Sequence, residues 1–182
     1  MIGLIPAHLA SLMKTIVIGL GNPILGDDGV GWKVAEEVRR KLSIPSPPAP
    51  LPKGEGSHVV DVDCVSLGGI SLMEHLIGYQ HAILIDAFAL DEPSGSILIL
   101  QLSDLPNYSA FHTTSVHDTS LQNAIKLGRS MGAHLPEDIT VVGIATRRIH
   151  DFSENLSPPV AQAVPQAVQI VLDLLDQIVT TQ

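Results

Sequence analysis

Three polar segments of the chain carry residues suited to metal binding or to acid–base chemistry. The adjacent acids Asp27 and Asp28 follow a glycine-rich stretch, Asp86 follows an apolar run, and His117 lies in a polar loop. In an open α/β sheet, ligands bind at the carboxyl ends of the strands, so polar residues at those ends are the first candidates for a site. The segments span residues 19–31, 83–88 and 111–119.

Asp28, Asp86 and His117 together predict a metal site with two carboxylates and one imidazole. A carboxylate at the mouth of a buried sheet loses solvation unless a cation or hydrogen-bond donors meet it. A histidine at a helix amino terminus is favoured in its neutral, metal-binding form, and on this ground we prefer His117 to His112. The set suits nickel, zinc or manganese without distinguishing them. Asp27 is expected to cap the following helix or to position Asp28, because two adjacent acids cannot cap one helix in the same way.

Other chemistries have weaker support in the sequence. Gly19 and Gly21 begin like a dinucleotide fingerprint, but Ile24 stands where the third small residue belongs. Cys64 is the only cysteine and is predicted to be a buried structural thiol. The sequence contains no Walker loop and no Gly-x-Ser-x-Gly elbow, so nucleotide hydrolysis and serine esterase chemistry have no motif.

The elements that must position these residues alternate between strand and helix. Residues 87–95 are too few for a crossover helix, so the fourth strand should be antiparallel to the third or lie at an edge. The third strand is expected to end at Asp86. The pattern predicts a three-layer α/β/α sandwich of phosphorylase/hydrolase-like type, with a mixed, mostly parallel sheet of about five strands. The predicted strands are 15–20, 58–65, 81–85, 96–102 and 139–145, and the predicted helices are 28–42, 70–77, 119–131 and 159–179, the last interrupted or offset near Pro165.

The length of 182 residues is enough for one domain with a sizeable core. We expect that domain to span residues 13–182, with residues 1–12 as an N-terminal extension, because Met13 looks like a natural beginning for the first strand. Residues 43–57 contain five prolines and two glycines. Such a segment packs neither as a helix nor as a central strand, so we interpret it as an exposed loop within the domain.

The charge and the apolar pattern exclude several classes of partner. Ten Lys and Arg against nineteen Asp and Glu leave a net charge of -9, which repels a phosphate backbone and favours a basic protein, a peptide or a metal cation. No run approaches the roughly twenty uncharged apolar residues of a membrane-spanning helix, so we expect no membrane segment. A single cysteine fits a reducing cytoplasm.

The glycine-rich loop with its acid pair closely resembles the signature of the nickel-iron hydrogenase maturation proteases. The matching stretches are Ile16-Val17-Ile18-Gly19-Leu20-Gly21-Asn22-Pro23 and Gly26-Asp27-Asp28-Gly29-Val30-Gly31. The resemblance continues through residues 84–87, 117–121, 142–144 and 156–160, and so covers nearly everything from Met13 onward.

The resemblance implies an endopeptidase that removes a short C-terminal extension from the precursor of the hydrogenase large subunit after nickel insertion. By position, Asp28, Asp86 and His117 match the family's metal-contacting acid, acid and histidine. In such proteins the nickel is thought to belong to the substrate, so the resemblance implies no permanently bound cofactor. The family often carries Asp-Gly-Gly-Thr after the second strand, whereas this chain has the sequence DCVSLGG at residues 63–69.

Two rival functions stay open at this point. A metal- or precursor-binding module would use the same residues without hydrolysis. Peptidyl-tRNA hydrolases share the Gly-Leu-Gly-Asn-Pro opening, but they continue with a Thr-Arg-His-Asn stretch and need a basic surface for RNA. Here Asp27 and Asp28 replace that stretch and the chain is acidic, so the hydrolase of peptidyl-tRNA is disfavoured.

Overall fold

A computed structural model describes residues 13–43, 58–89, 91–105, 120–147 and 152–180. The predicted extension at 1–12 lies outside the described residues, as does all but Ser43 of the proline-rich loop. The expectation of one domain over residues 13–182, preceded by an extension and containing an exposed loop at 43–57, stays a prediction. In the described part of the chain, no helix combines the length and the apolar character needed to cross a bilayer.

Among the described residues, five strands form one mixed sheet, as predicted. The neighbours in the sheet follow the order β2-β1-β3-β5-β4. β1, β2, β3 and β5 are parallel, whereas β4 lies at the edge and pairs antiparallel with β5. This arrangement confirms the expectation drawn from the short third connection. The strands are β1 (Met13–Leu20), β2 (His58–Val65), β3 (His81–Ala89), β4 (Ile97–Gln101) and β5 (Asp138–Thr146).

Four α-helices cover the two faces of this sheet. α1 (Val30–Leu42) packs beside α4 (Pro158–Thr180), and α2 (Gly69–His75) packs beside α3 (Leu121–Ser130). The central strands are apolar on both faces, since Ile16, Ile18 and Leu20 join the core under α2 and α3 while Val17 joins the core under α1 and α4. Burial of both faces explains why β1 has a continuous apolar run. The three-layer α/β/α prediction is confirmed.

The predicted end of β3 and the predicted interruption of α4 were wrong. β3 does not end at Asp86 but continues to Ala89, and Asp86 pairs with Gly143 on β5. The apolar run stops at Asp86, yet strand pairing is a backbone property that the polar side chain does not interrupt. α4 is continuous through Pro165. Because proline has no backbone N–H, the carbonyl oxygen of Ala161, four residues earlier, lacks its helical hydrogen-bond donor. Ala161 and Pro165 are both exposed, so water can hydrate that carbonyl group.

The first helix begins later than predicted, and its approach to the sheet depends on Gly31. A short 3-10 turn, Gly26–Gly29, precedes α1. A Cβ atom on Gly31 would lie less than 3.0 Å from the backbone oxygens of Leu20 on β1 and Ile85 on β3. The absence of a side chain therefore lets the start of α1 rest on the carboxyl ends of two neighbouring strands.

Candidate active site

The loop after β1 folds so that Asp28 turns back onto its own chain. The Asn22 carbonyl accepts a hydrogen bond from the Leu25 amide at 3.0 Å, which closes a turn before the Gly26–Gly29 segment. Gly26 has a positive φ of 59°. Asp28 is only 3% exposed, and its Oδ2 accepts the Asn22 backbone N–H at 2.6 Å. The loop thus delivers a buried carboxylate to the carboxyl end of β1.

Asp86 lies at the same edge of the sheet, on the neighbouring strand. Its side chain is fully buried (0% exposed), and its Oδ1 accepts the Ala87 backbone N–H at 2.9 Å. Because side chains alternate along a strand, Asp86 shares the α2 and α3 face with Leu84 and Phe88. The Gly26–Gly29 turn contacts β3 directly. The structure therefore places the two predicted carboxylates at one edge of the sheet.

His117, the third predicted ligand, lies outside the described residues, and so does its rival His112. In sequence, His117 lies three residues before Ser120, which caps α3 by accepting the Asn123 amide on its hydroxyl group. α3 covers the face of the sheet that carries Asp86. Within the described ranges alone, no group of three or more His, Cys, Asp or Glu side chains is arranged to hold a metal. The three-residue metal set stays a prediction.

Two roles were predicted for Asp27, to cap the following helix or to position Asp28, and its contacts fit the second. Its Oδ2 accepts the hydroxyl groups of Thr146, at 2.6 Å, and Ser157, at 2.8 Å, and its Oδ1 accepts the Ser157 amide at 2.6 Å. It makes no capping hydrogen bond to its own turn. The Asp27 carboxylate instead joins the first loop to the end of β5 and the start of α4, where a negative charge complements the helix dipole. Asp27 therefore supports the turn that carries Asp28.

Thr146 and Ser157 were absent from the predicted site. Ser157 accepts the Ala161 amide on its carbonyl oxygen at 2.9 Å and directly precedes Pro158, the first residue of α4. A serine followed by proline is a recognised helix start, so the sequence carried a signal for its capping position. It carried no signal that Ser157 would bind an acid 130 residues away. Thr146 ends a buried strand and offers no such signal.

Replacing Asp27 by asparagine is expected to lower the free energy of unfolding by about 2 kcal/mol, since an amide NH2 would replace one oxygen that accepts from the buried Thr146 hydroxyl or the half-buried Ser157. Cleavage by this variant should also slow, because the turn that holds Asp28 loses its anchor. Urea denaturation measures the first effect. Asp138→Asn, at an exposed acid on the opposite edge of the sheet, is the matched control. Equal unfolding midpoints for the two variants would contradict the anchoring role.

Cys64 does not have the properties of a nucleophile. It is half-buried on β2, and burial is the main cause that raises the pKa of its thiol. Its Sγ lies 3.9 Å from the Trp32 carbonyl oxygen, and the charged groups that act on the thiol are Arg39, Glu36 and Asp63. A protonated thiol is a poor nucleophile, so Cys64 is a poor candidate for covalent chemistry.

A cavity of about 210 Å³ lies at the carboxyl edge of the sheet, next to the turn that carries Asp27 and Asp28. It lies between the turn that contains Asp27 and the chain that enters α4, and its lining includes Ser153 and Leu156. A larger groove of about 690 Å³, lined by His81, Arg129 and Asp138 among others, opens at the opposite edge of the sheet. Ligands of open α/β sheets bind at the carboxyl edge. The smaller cavity lies at that edge, and its lining includes Asp27 but neither Asp28 nor Asp86.

Comparison with known proteins points to one family. The family model described as hydrogenase maturation protease matches residues 56–174. The hydrogenase expression/formation protein HoxM of Azotobacter vinelandii is 23% identical over 160 residues, which cover 88% of this chain and 71% of that protein. A putative hydrogenase maturation protease of Methanocaldococcus jannaschii is 26% identical over 160 residues, with 86% and 93% of the two chains covered.

Solved structures share the fold. The hydrogenase maturating endopeptidase HybD from Escherichia coli aligns with a TM-score of 0.65 at 23% identity, covering 91% of this chain and 93% of that one. The hydrogenase 2 maturation peptidase from a Thaumarchaeota archaeon aligns with a TM-score of 0.59 at 28% identity, with 90% and 98% covered. The arrangement of strands and helices described above is thus that of known maturation peptidases.

Proposed function

Since the chain belongs to the hydrogenase maturation protease family, we propose that it removes the C-terminal extension of a nickel-iron hydrogenase large-subunit precursor after nickel has been inserted. The chain is a peptidase that processes hydrogenases. Nickel carried by the precursor would be bound by Asp28, Asp86 and His117. The reaction would take place in the cytoplasm, where the single cysteine stays reduced.

The observation that supports this proposal best is the burial of Asp28 and Asp86 at one edge of the sheet. Each carboxylate accepts a backbone N–H and has almost no contact with solvent. Carboxylate oxygens are ligands for divalent cations, so two carboxylates at one edge of the sheet would bind a nickel ion brought by the substrate. A site of this kind would favour the nickel-loaded precursor over the empty one.

The chemistry proposed for this edge is hydrolysis by an activated water molecule. Water attacks the carbonyl carbon of the scissile peptide bond, the C–N bond breaks, and the leaving nitrogen takes up a proton. The nickel ion of the substrate polarises the carbonyl or lowers the pKa of the water, and one of the two carboxylates accepts the proton of that water. The net charge of -9 of the chain also attracts a cationic substrate site.

The proposal is tested by incubating the purified protein with the precursor in nickel-loaded and nickel-free forms. We expect mass spectrometry to show loss of a C-terminal peptide from the loaded precursor alone. Cleavage of both forms at one rate would remove the proposed role of nickel. Binding of the loaded precursor without any cleavage would identify a binding module instead of a peptidase.

A further inference from the structure

An apolar patch formed by Ile24 and Phe152 lies beside the catalytic edge. Phe152 is 86% exposed, the highest value for a large apolar side chain in the described part of the protein, and Ile24 is 48% exposed. A protein with only 3% aromatic residues thus leaves one of its three phenylalanines in water. Exposed apolar residues are common singly, but adjacent ones are typical of interaction sites.

The backbone holds these two side chains next to each other. Leu25 and Ser153 form a parallel bridge, in which the Ser153 amide donates to the Ile24 carbonyl at 3.1 Å and the Gly26 amide donates to the Ser153 carbonyl at 2.6 Å. Ile24 and Phe152 are the residues that precede the two bridge partners. Paired positions of neighbouring strands point to the same face, so both side chains lie on one side of the bridge.

The patch adjoins the turn that carries Asp27 and Asp28. The bridge runs directly into the Gly26–Gly29 turn, which carries Asp28, and the cavity of about 210 Å³ is lined by Gly26, Asp27 and Ser153. A peptide that extends from the carboxylates along this surface would meet the cavity and then the patch. The peptide side chain that binds the patch most favourably is apolar, because contact removes apolar surface of both the peptide and the patch from water.

We propose that the Ile24 and Phe152 patch is the docking surface for an apolar segment of the precursor next to its scissile bond. This inference rests on the proposed function, since it assigns the substrate of the same site. The patch touches no reacting atom, so it contributes to substrate binding and not to the chemical step. It would hold the extension in line with the two carboxylates while the nickel ion is bound.

The patch is tested by measuring cleavage kinetics and precursor binding for Phe152→Ser and Ile24→Ser. We expect each variant to raise KM and the precursor Kd about tenfold, as for truncation of a buried interface anchor, with kcat unchanged. Phe152→Leu should restore much of the binding because it restores apolar area. Met131→Ser is the matched control, since Met131 is 77% exposed but lies after α3, away from the bridge.

A second measurement identifies the segment of the precursor that docks. Each apolar residue beside the scissile bond is replaced by serine and assayed against the wild-type protein and Phe152→Ser. We expect a substitution that weakens binding to the wild-type protein to have little further effect on Phe152→Ser, because the two residues form one contact.

The outcomes separate this inference from the function on which it rests. Unchanged KM and Kd for both patch variants, with normal cleavage by the wild-type protein, would overturn the docking surface alone. A wild-type protein that neither binds nor cleaves the loaded precursor would overturn the proposed function. A loss of binding in Met131→Ser equal to that in Phe152→Ser would show a general effect of surface apolarity and would also contradict the patch.

Discussion

Asp86→Asn and Asp28→Asn are each expected to reduce cleavage of the nickel-loaded precursor by about 10²-fold or more, the range typical for loss of a general acid or base. Asparagine keeps the shape of the side chain and an oxygen for the backbone N–H of Ala87 or Asn22, so both variants should fold. They lose the negative charge that would face nickel. Mass spectrometry of the released peptide over time measures the rate, and circular dichroism measures the fold.

Asp61→Asn is the control for this pair. Asp61 lies exposed on β2 and accepts a hydrogen bond from the Tyr79 hydroxyl at 2.8 Å. The substitution therefore removes one carboxylate from the sheet without altering the candidate site. Cleavage by Asp61→Asn should equal that of the wild-type protein. If Asp28→Asn and Asp86→Asn each cleave the precursor at the wild-type rate, the carboxylate site is wrong.

The same assay decides between the two candidate histidines. His117→Ala is expected to match the aspartate variants in its loss of cleavage, whereas His112→Ala should retain activity. Binding of nickel-loaded and nickel-free precursor, measured by calorimetry, adds a readout independent of turnover. If the roles are as proposed, His117→Ala reduces the preference for the loaded form. Reversal of the two histidine results would move the ligand to His112.

Gly31→Ala is expected to lower the free energy of unfolding by about 3 kcal/mol, the upper end for overpacking in a close-packed core. The added methyl group would overlap the backbone oxygens of Leu20 and Ile85, and neither strand can shift without breaking its pairing. A shift of α1 would in turn move the turn that carries Asp28. We therefore expect a large loss of cleavage even in the folded fraction. Urea denaturation and single-turnover cleavage measure the two effects.

Gly78→Ala provides a matched control for this substitution. Gly78 has a φ of 91° but nothing lies within 4 Å of an added Cβ atom, so only backbone strain of about 1 kcal/mol is expected. If Gly31→Ala lowers the free energy of unfolding no more than Gly78→Ala does, α1 is free to move away from the sheet. In that case close helix packing would not be what positions Asp28.

Most of the fold could be predicted from local patterns. The β-branched run before Gly21 indicated the buried strand β1, and the short stretch 87–95 required β4 to pair at an edge. These features depend on residues that are close in sequence, where periodicity and turn chemistry act directly. The boundary at Asp86 failed because hydrophobicity reports which side chains are buried and not where the backbone stops pairing.

The sequence by itself determined the α/β/α class, the two acids at the carboxyl edge and the resemblance to a peptidase family. Only the tertiary structure decided how each acid is held. Asp27 is held by Thr146 and Ser157, and Phe152 is placed beside Ile24, through contacts that join chain segments more than one hundred residues apart. Such contacts form only when the sheet brings distant loops to one edge, so no local pattern predicts them.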